Sequence, residues 1–140
     1  MSEVKTKRRT VVDWLRFNAV GVVGTAVQLT VLTGLRTGLG WAVALSTVIA
    51  VECAVIHNFI WHESWTWAYR KLEKRGIPGR LLRFNLSNGL ISIVGNVVLM
   101  QLLAVYFQIP LLIANLAAIL ACSLVNYLVS DKLVFRGAQI

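Results

Sequence analysis

The stretch Ala44–Trp67, ALSTVIAVECAVIHNFIWHESWTW, decides the fold class of this chain. It starts as an apolar helix, and roughly 20 such residues are enough to cross a bilayer. It ends in polar and aromatic residues. Trp favours the headgroup layer because its ring is apolar at one end and contacts water at the other. Glu52 lies in the middle of the stretch. A carboxylate in hydrocarbon is costly, so we interpret Glu52 as a candidate functional residue.

The composition excludes a soluble domain. Of the 140 residues, 57% are hydrophobic and 14% are charged, more apolar surface than a soluble domain of this size buries. The net charge of +8 would suggest nucleic acid on a soluble face. Nearly all the basic residues flank apolar stretches, so we expect no nucleic-acid partner. Cys53 and Cys122 lie inside apolar stretches and are interpreted as packing residues.

Four apolar stretches each have about the length of a membrane-crossing helix, the form expected because lipid cannot satisfy an open backbone. They are Phe17–Leu35, Trp41–Trp61, Phe84–Phe107 and Leu111–Val129. Tight turns at residues 36–40 and 108–110 join them in pairs. The sequence therefore predicts an all-α integral membrane protein whose four transmembrane helices form two hairpins. We expect the basic segment 1–14 to be disordered or interfacial, with residues 11–14 as an alternative start of a short surface helix.

The two hairpins repeat the same motifs. Leu15-Arg16-Phe17-Asn18 opens the first hairpin and Leu82-Arg83-Phe84-Asn85 the second, while Asn58-Phe59 and Asn126-Tyr127 close them. We place a membrane domain at residues 15–136, with halves of about 15–67 and 82–135. Both halves start on the same side of the membrane, so we expect a parallel repeat, an arrangement found among transporters.

The basic residues predict the orientation. Of the 14 Lys and Arg residues, all but Arg36 flank one side of the membrane. By the positive-inside rule, both termini and the central loop from Arg70 to Arg83 are predicted to lie in the cytoplasm.

Polar and small residues within the apolar stretches recur at helical spacing. Each of three stripes falls on one helix face: Asn85, Asn88, Ser92 and Asn96; Asn115, Ala118, Cys122 and Asn126; Thr47, Ala50, Ala54, Asn58 and His62. Such stripes are typical of helix packing in membranes. Taken together they also favour a polar cleft open toward the cytoplasm, and both interpretations stay open.

A second polar cluster is expected near the midplane. Counted from the helix ends, Gln28, Glu52 and Asn96 come to similar depths. We expect Gln28 or Asn96 to donate a hydrogen bond to Glu52. That carboxyl group is then either a protonated structural acid or a functional residue.

Three basic residues lie near asparagines at the cytoplasmic headgroup level: Arg16, Arg83 and Lys132. A cation beside amide donors suits a lipid phosphate, although such residues also serve as simple anchors. The predicted headgroup-binding residues are Arg16, Asn18, Asn58, His62, Arg83, Asn85, Asn88, Asn126 and Lys132.

We expect no enzyme activity, metal or cofactor. The two histidines, His57 and His62, are too few for a zinc site. The chain has neither a nucleophile–base pair nor a phosphate-binding glycine loop.

The repeated motifs resemble those of the GtrA family of small bacterial membrane proteins. The resemblance covers about residues 15–136 and rests on Arg16-Phe17, Val20-Gly21, Asn58-Phe59, Trp65-Thr66-Trp67, Arg83-Phe84, Asn126-Tyr127 and Val134-Phe135. It implies translocation of polyprenyl-phosphate-linked sugars across the bacterial inner membrane, for cell-envelope polysaccharide or O-antigen glycosylation. The family often has an Asn-Arg pair before its exit tryptophan. His62-Glu63 and Ser130-Asp131 stand there instead, which favours Arg16, Arg83 and Lys132 as the phosphate ligands.

Two other functions stay open. Glu52 would suit a proton-coupled exporter of small cations, and a small membrane domain would also suit a non-transporting scaffold for a membrane glycosyltransferase. The partners we expect are the lipid-linked sugar, membrane lipids and a membrane glycosyltransferase. A second copy of the chain is a further expected partner, because four spans favour a homodimer.

Overall fold

A computed structural model describes residues 2–70 and 72–136, and its regular structure is helical. The α-helices are α1 (Ser2–Thr33), α2 (Val43–Trp61), α3 (Ile77–Met100) and α4 (Leu111–Val129). No strand occurs in the described ranges. Each of four helical segments is long and apolar enough to cross a membrane. The prediction of an all-α membrane protein with four transmembrane helices is confirmed.

The chain divides into two compact units, Met1–Tyr69 (unit 1) and Arg70–Ile140 (unit 2). Unit 1 holds the hairpin of α1 and α2, and unit 2 holds the hairpin of α3 and α4. The boundary falls between the two repeat halves that the motifs indicate. The parallel relation of the halves stays a prediction.

Two helices begin earlier than the apolar pattern predicts. α1 starts at Ser2, so the basic segment is helical and the disordered alternative is wrong. α3 starts at Ile77, well before its apolar stretch. Pro78 fits a first helical turn, where its missing N–H is not needed. Arg80 also reaches back, and its Nη1 donates to the Glu73 carbonyl oxygen at 2.8 Å. These two features favour a start of α3 inside the predicted central loop from Arg70 to Arg83.

The two hairpin turns follow the same backbone course. One residue in each is left-handed, Gly40 with φ 64° and Gln108 with φ 53°. The next residue donates its amide back to the preceding turn: Trp41 to the Leu35 carbonyl at 3.1 Å, and Ile109 to the Leu103 carbonyl at 2.9 Å. The repeat therefore extends to backbone detail that the residue types alone do not reveal.

Small residues let the two helices of each hairpin approach closely. A Cβ atom at Gly24 would lie 2.1 Å from Asn58 Oδ1, and one at Gly95 would lie 2.7 Å from Cys122 Sγ. Three alanines of the α2 and α4 stripes are also buried: Ala50, Ala54 and Ala118. Close packing of small residues is a main attraction between helices in lipid. The helix-packing interpretation therefore fits the α2 and α4 stripes, and the polar cleft stays a prediction.

Candidate functional site

The second helix of each hairpin ends in a wide turn that returns an aromatic residue to the core. The Trp67 amide donates to the His62 carbonyl at 3.0 Å, and the Phe135 amide donates to the Ser130 carbonyl at 2.8 Å. Both bonds span five residues, one more than in an α-helix. Trp67 and Phe135 are fully buried as a result.

Each returned ring meets a phenylalanine at the start of its own hairpin. The ring centroids of Phe17 and Trp67 are 6.1 Å apart, and those of Phe84 and Phe135 are 5.8 Å apart. Aromatic pairs favour these tilted arrangements at such distances. The arginine just before each phenylalanine therefore occupies a repeat-equivalent position in its own hairpin. These residues are Arg16 and Arg83.

Arg16 lies against Trp65. Its guanidinium carbon is 5.4 Å from the Trp65 ring centroid, and its Nη1 donates to the Trp65 carbonyl oxygen at 3.4 Å. The side chain is half-buried. It forms no ion pair with any residue in the described parts of the chain. Arg16 therefore presents a positive charge, held by a ring and a carbonyl, that no described carboxylate neutralises.

Arg83 and Lys132 are exposed at the corresponding end of unit 2. Neither forms an ion pair with a residue of 2–70 or 72–136. Asp131, next to Lys132, is paired with Arg70. Both cations can therefore reach an anion outside the hairpin, as the sequence hypothesis requires.

His62 lies in the core of unit 1, where only 1% of its surface is exposed. Its ring stacks on Phe17 with centroids 4.6 Å apart, and it lies 5.3 Å from the Trp67 ring. Its Nδ1 shares a hydrogen bond with Thr66 Oγ1 at 3.0 Å. A ring enclosed in this way packs the turn, so we leave His62 out of the headgroup site proposed below. In the described ranges, no three His, Cys, Asp or Glu side chains are grouped as metal ligands would be.

The asparagines near the openings are half-buried. Asn18 Nδ2 donates to the Trp14 carbonyl of its own helix at 2.8 Å. Asn85 and Asn88 lie on α3 beside the opening of unit 2. Their places next to Arg16 and Arg83 agree with the predicted grouping, while their contact with a headgroup stays a prediction.

The two repeat-related asparagines of α2 and α4 have different surroundings. Asn58 Oδ1 lies 3.1 Å from His57 Nδ1, and its amide fills the space opposite Gly24. Asn126 is buried, and its Nδ2 donates to Ser92 Oγ at 3.0 Å. Both lie between the helices of their own hairpin, where they contribute to helix packing.

A family model for the GtrA/DPMS transmembrane domain matches residues 16–135. The chain belongs to this family. The match confirms the resemblance that the repeated motifs indicate. Together with the four helices long enough to cross a membrane, it establishes a multi-pass membrane protein of a family linked to polyprenyl-phosphate sugars.

One relative of known name is a dolichol-phosphate mannosyltransferase from Pyrococcus furiosus. The two sequences are 28% identical over an alignment 145 positions long, gaps included, which covers 91% of this chain. The alignment covers 40% of the relative, so the GtrA/DPMS chain spans well under half of that protein.

The midplane residues of this GtrA/DPMS domain are spread over both units. Glu52 lies on an exposed face of α2 and Gln28 is half-buried on α1, both in unit 1. Asn96 is in unit 2, where its Nδ2 donates to the Ser92 carbonyl at 2.7 Å. A hydrogen bond to Glu52, and the role of that residue, stay predictions.

Sequence reasoning missed an arginine that closes the end of unit 2. Arg70 Nη1 donates to the Asp131 carbonyl at 2.7 Å and to the Phe135 carbonyl at 3.0 Å. Its Nη2 also pairs with the Asp131 carboxylate. Arg70 counted only as one of many loop cations in the sequence, because its partners lie 61 and 65 residues away.

Sequence reasoning also missed a contact in unit 1, at the end that is predicted to face the cytoplasm. The Tyr69 hydroxyl donates to Asp13 Oδ2 at 2.8 Å, and Asp13 is buried with 3% of its surface exposed. The Arg9 guanidinium carbon lies 4.7 Å from the Tyr69 ring centroid. The available signal for this contact was the single Asp within a basic segment. An Asp is rarely buried without a partner, so Asp13 needs one if it lies in the core.

Proposed function

We propose that this chain translocates polyprenyl-phosphate-linked sugars across the bacterial inner membrane, supplying cell-envelope polysaccharide or glycan synthesis. One observation carries the proposal within this family. Arg16 and Arg83 occupy equivalent places in the two hairpins, and neither is neutralised by a described carboxylate. A phosphate supplies the missing anion, and guanidinium–phosphate hydrogen bonds are strong.

In this proposal each hairpin holds a candidate headgroup site at its own opening. The phosphate binds the cations, and neighbouring amides bind the phosphate or the sugar. The proposed residues are Arg16 and Asn18 in unit 1, and Arg83, Asn85, Asn88 and Lys132 in unit 2. The hydrocarbon tail stays in lipid, so the protein moves only the polar part of its substrate.

The proposed orientation has both termini in the cytoplasm. Arg36 is the single basic residue in either hairpin turn, and the other 13 of the 14 lie toward the opposite ends of the helices. By the positive-inside rule those ends face the cytoplasm.

A vesicle assay tests the proposal. Purified protein is reconstituted with a fluorescent polyprenyl-phosphate sugar, and a membrane-impermeant quencher reports which leaflet holds the label. We expect translocation faster than in protein-free vesicles. Arg83→Gln removes a charged phosphate ligand, so substrate binding weakens by roughly 1–3 kcal/mol.

Lys74→Gln is the matched control, because Lys74 is an exposed cation outside the proposed site. It should leave both translocation and binding unchanged. Vesicles whose label stays in the outer leaflet despite folded protein would contradict the proposal. Equal effects of the two substitutions would return Arg83 to the role of a topology anchor.

A second candidate function is a non-transporting scaffold for a membrane glycosyltransferase. The observation that favours it is that this chain is similar to 40% of a dolichol-phosphate mannosyltransferase. A scaffold raises the activity of a co-reconstituted transferase without moving lipid. Transferase activity that needs this chain, in vesicles where no label moves, would therefore favour the scaffold. In both functions we propose that the chain itself is not an enzyme and acts as a homodimer.

A further inference from the structure

Unit 1 has an apolar groove between α1 and α2, which we call the Trp groove. Its volume is about 260 Å³, and its lining is apolar. The lining residues are Ala19, Val20, Val23, His57, Trp61 and Trp65. Trp61 and Trp65 meet edge to face with centroids 6.1 Å apart, and His57 lies 6.3 Å from Trp61.

The Trp groove has a cation at one end. Trp65 lines the groove and also carries the Arg16 guanidinium on its ring and carbonyl. From Trp65 to His57 the lining extends about 12 Å, taking the 1.5 Å rise per residue of a helix. An apolar slot of that length, with an unneutralised guanidinium at its rim, is complementary to an amphiphile with one anionic end.

We propose that the Trp groove binds the phosphate-proximal part of a polyprenyl phosphate, with the phosphate on Arg16 and the first isoprene units between α1 and α2. This inference rests on the proposed function and assigns its lipid-binding site to unit 1. The branched, unsaturated chain packs against the faces of Trp61 and Trp65. The rest of the tail extends into the bilayer.

The described part of unit 2 lacks the aromatic residues that line this groove. At the repeat-related positions of His57, Trp61 and Trp65 stand Val125, Val129 and Leu133, none of them aromatic. Its own recess, of about 550 Å³, is lined by aliphatic and small residues: Leu90, Ile91, Val94, Gly95, Leu99, Ala121, Cys122 and Val125.

Neither recess has a Lys or Arg among its lining residues, so the two differ in how far the nearest motif arginine lies from the lining. Arg16 precedes the first lining residue of the Trp groove, Ala19, by about 4.5 Å along the helix at 1.5 Å per residue. Arg83 precedes the first lining residue, Leu90, by about 10 Å along the helix at 1.5 Å per residue. A lipid chain in that recess would therefore leave its phosphate away from Arg83. The Trp groove alone combines an apolar slot with a cation at its rim among the recesses described.

Equilibrium binding of farnesyl phosphate to the full chain in nanodiscs tests this site. The double variant Trp61→Val, Trp65→Leu gives the Trp groove the residues of unit 2. We expect its affinity to fall about tenfold or more, since it loses large contact surfaces. The matched control, Val129→Ala with Leu133→Ala, changes unit 2 at the same positions and should alter the affinity less than about twofold.

Arg16→Gln separates the two ends of the ligand. It should weaken farnesyl phosphate about tenfold, because a charged hydrogen bond is lost, while farnesol binding stays the same. Phosphatidate competes weakly if the site is selective for an isoprenoid. Equal competition by phosphatidate would make the groove a general lipid site and overturn the proposal.

Photo-labelling of the unmodified protein keeps the test decisive if the double variant does not fold. A diazirine-bearing farnesyl phosphate should label residues of the Trp groove, as read by mass spectrometry. Labelling confined to unit 2, or a double variant that binds normally, would overturn the site. If vesicles still translocate the lipid-linked sugar in that case, the proposed function stands without this groove. If the protein neither binds farnesyl phosphate nor translocates the lipid-linked sugar, both the Trp groove site and the proposed function are contradicted.

Discussion

Units 1 and 2 share a backbone plan but stabilise it with different side chains. Both end in a wide turn that buries an aromatic ring, and both have a left-handed residue in the hairpin turn. Unit 1 fills its end with His62 stacked on Phe17, whereas unit 2 uses Arg70 to hold the last turn. The repeat therefore preserves the course of the chain, whereas the side chains that stabilise its end differ between the two units.

The largest expected effect comes from the returned rings. Trp67→Ala removes a fully buried ring from unit 1, and Phe135→Ala does the same in unit 2. Each should lower the free energy of unfolding by about 3 kcal/mol or more, because a cavity replaces packed contacts. Denaturant unfolding in detergent micelles measures this. Trp61→Ala, at a 47% exposed ring, is the control and should cost much less. A small loss at only one of Trp67 and Phe135 would mean that the two turns are not equivalent.

The next effect distinguishes the two units. Arg70→Gln removes hydrogen bonds to two carbonyls and the ion pair with Asp131. Loss of a part-buried charged donor should lower the free energy of unfolding by roughly 1.5–3 kcal/mol. The exposed Arg75 serves as control through Arg75→Gln, with little change expected. Matching losses for the two variants would show that Arg70 contributes only surface charge.

Helix approach in the two hairpins gives a third comparison. Gly24→Ala places a Cβ atom 2.1 Å from Asn58 Oδ1, so that side chain must move, at a cost of about 1–3 kcal/mol. Gly95→Ala should cost less, because its Cβ meets only the Cys122 thiol, at 2.7 Å. At Gly21 nothing lies within 4 Å, so Gly21→Ala should be neutral or slightly stabilising. Thermal unfolding ranks the three variants, and a neutral Gly24→Ala would contradict the close approach of α1 and α2.

The smallest effect concerns the hairpin turns. Gly40→Ala should lower the free energy of unfolding by about 1 kcal/mol, because a left-handed conformation disfavours a side chain. Gln108→Gly should raise it by up to about 1 kcal/mol, since Gln108 adopts the same conformation with a side chain. Denaturant titration of both variants checks the opposite signs. Two changes of the same sign would contradict a shared turn.

The sequence predicts the helices and the repeat because both depend on local patterns. α4 occupies the predicted residues, and the paired Arg-Phe motifs mark equivalent positions in the hairpins. The start of α3 was missed because its first turn is held to the preceding loop by the Arg80 side chain, whose hydrogen bond to the Glu73 carbonyl no apolar pattern reveals. The burial of His62 depends on Phe17, far away in the chain, so helical spacing gives its face but not its neighbours.

The headgroup site shows the same division between local and long-range information. Charge and spacing select Arg16 and Arg83, whose anchoring phenylalanines are part of the motif. The carbonyl and ring that hold Arg16 come from Trp65, 49 residues later in the chain. The sequence treats that tryptophan as a membrane anchor, which is its commonest role. Only the packing of α1 against α2 brings the cation and the groove together.

A structure of the full chain with a bound polyprenyl-phosphate sugar tests the central proposal most directly, through the position of the phosphorus atom. The phosphate should lie within hydrogen-bond distance of the Arg16 or Arg83 guanidinium, at the cytoplasm-predicted end of a hairpin. If the lipid occupies the Trp groove, its phosphate should lie at Arg16. A phosphate bound near Arg36, or a lipid whose phosphate contacts neither Arg16 nor Arg83, would contradict the proposed headgroup site.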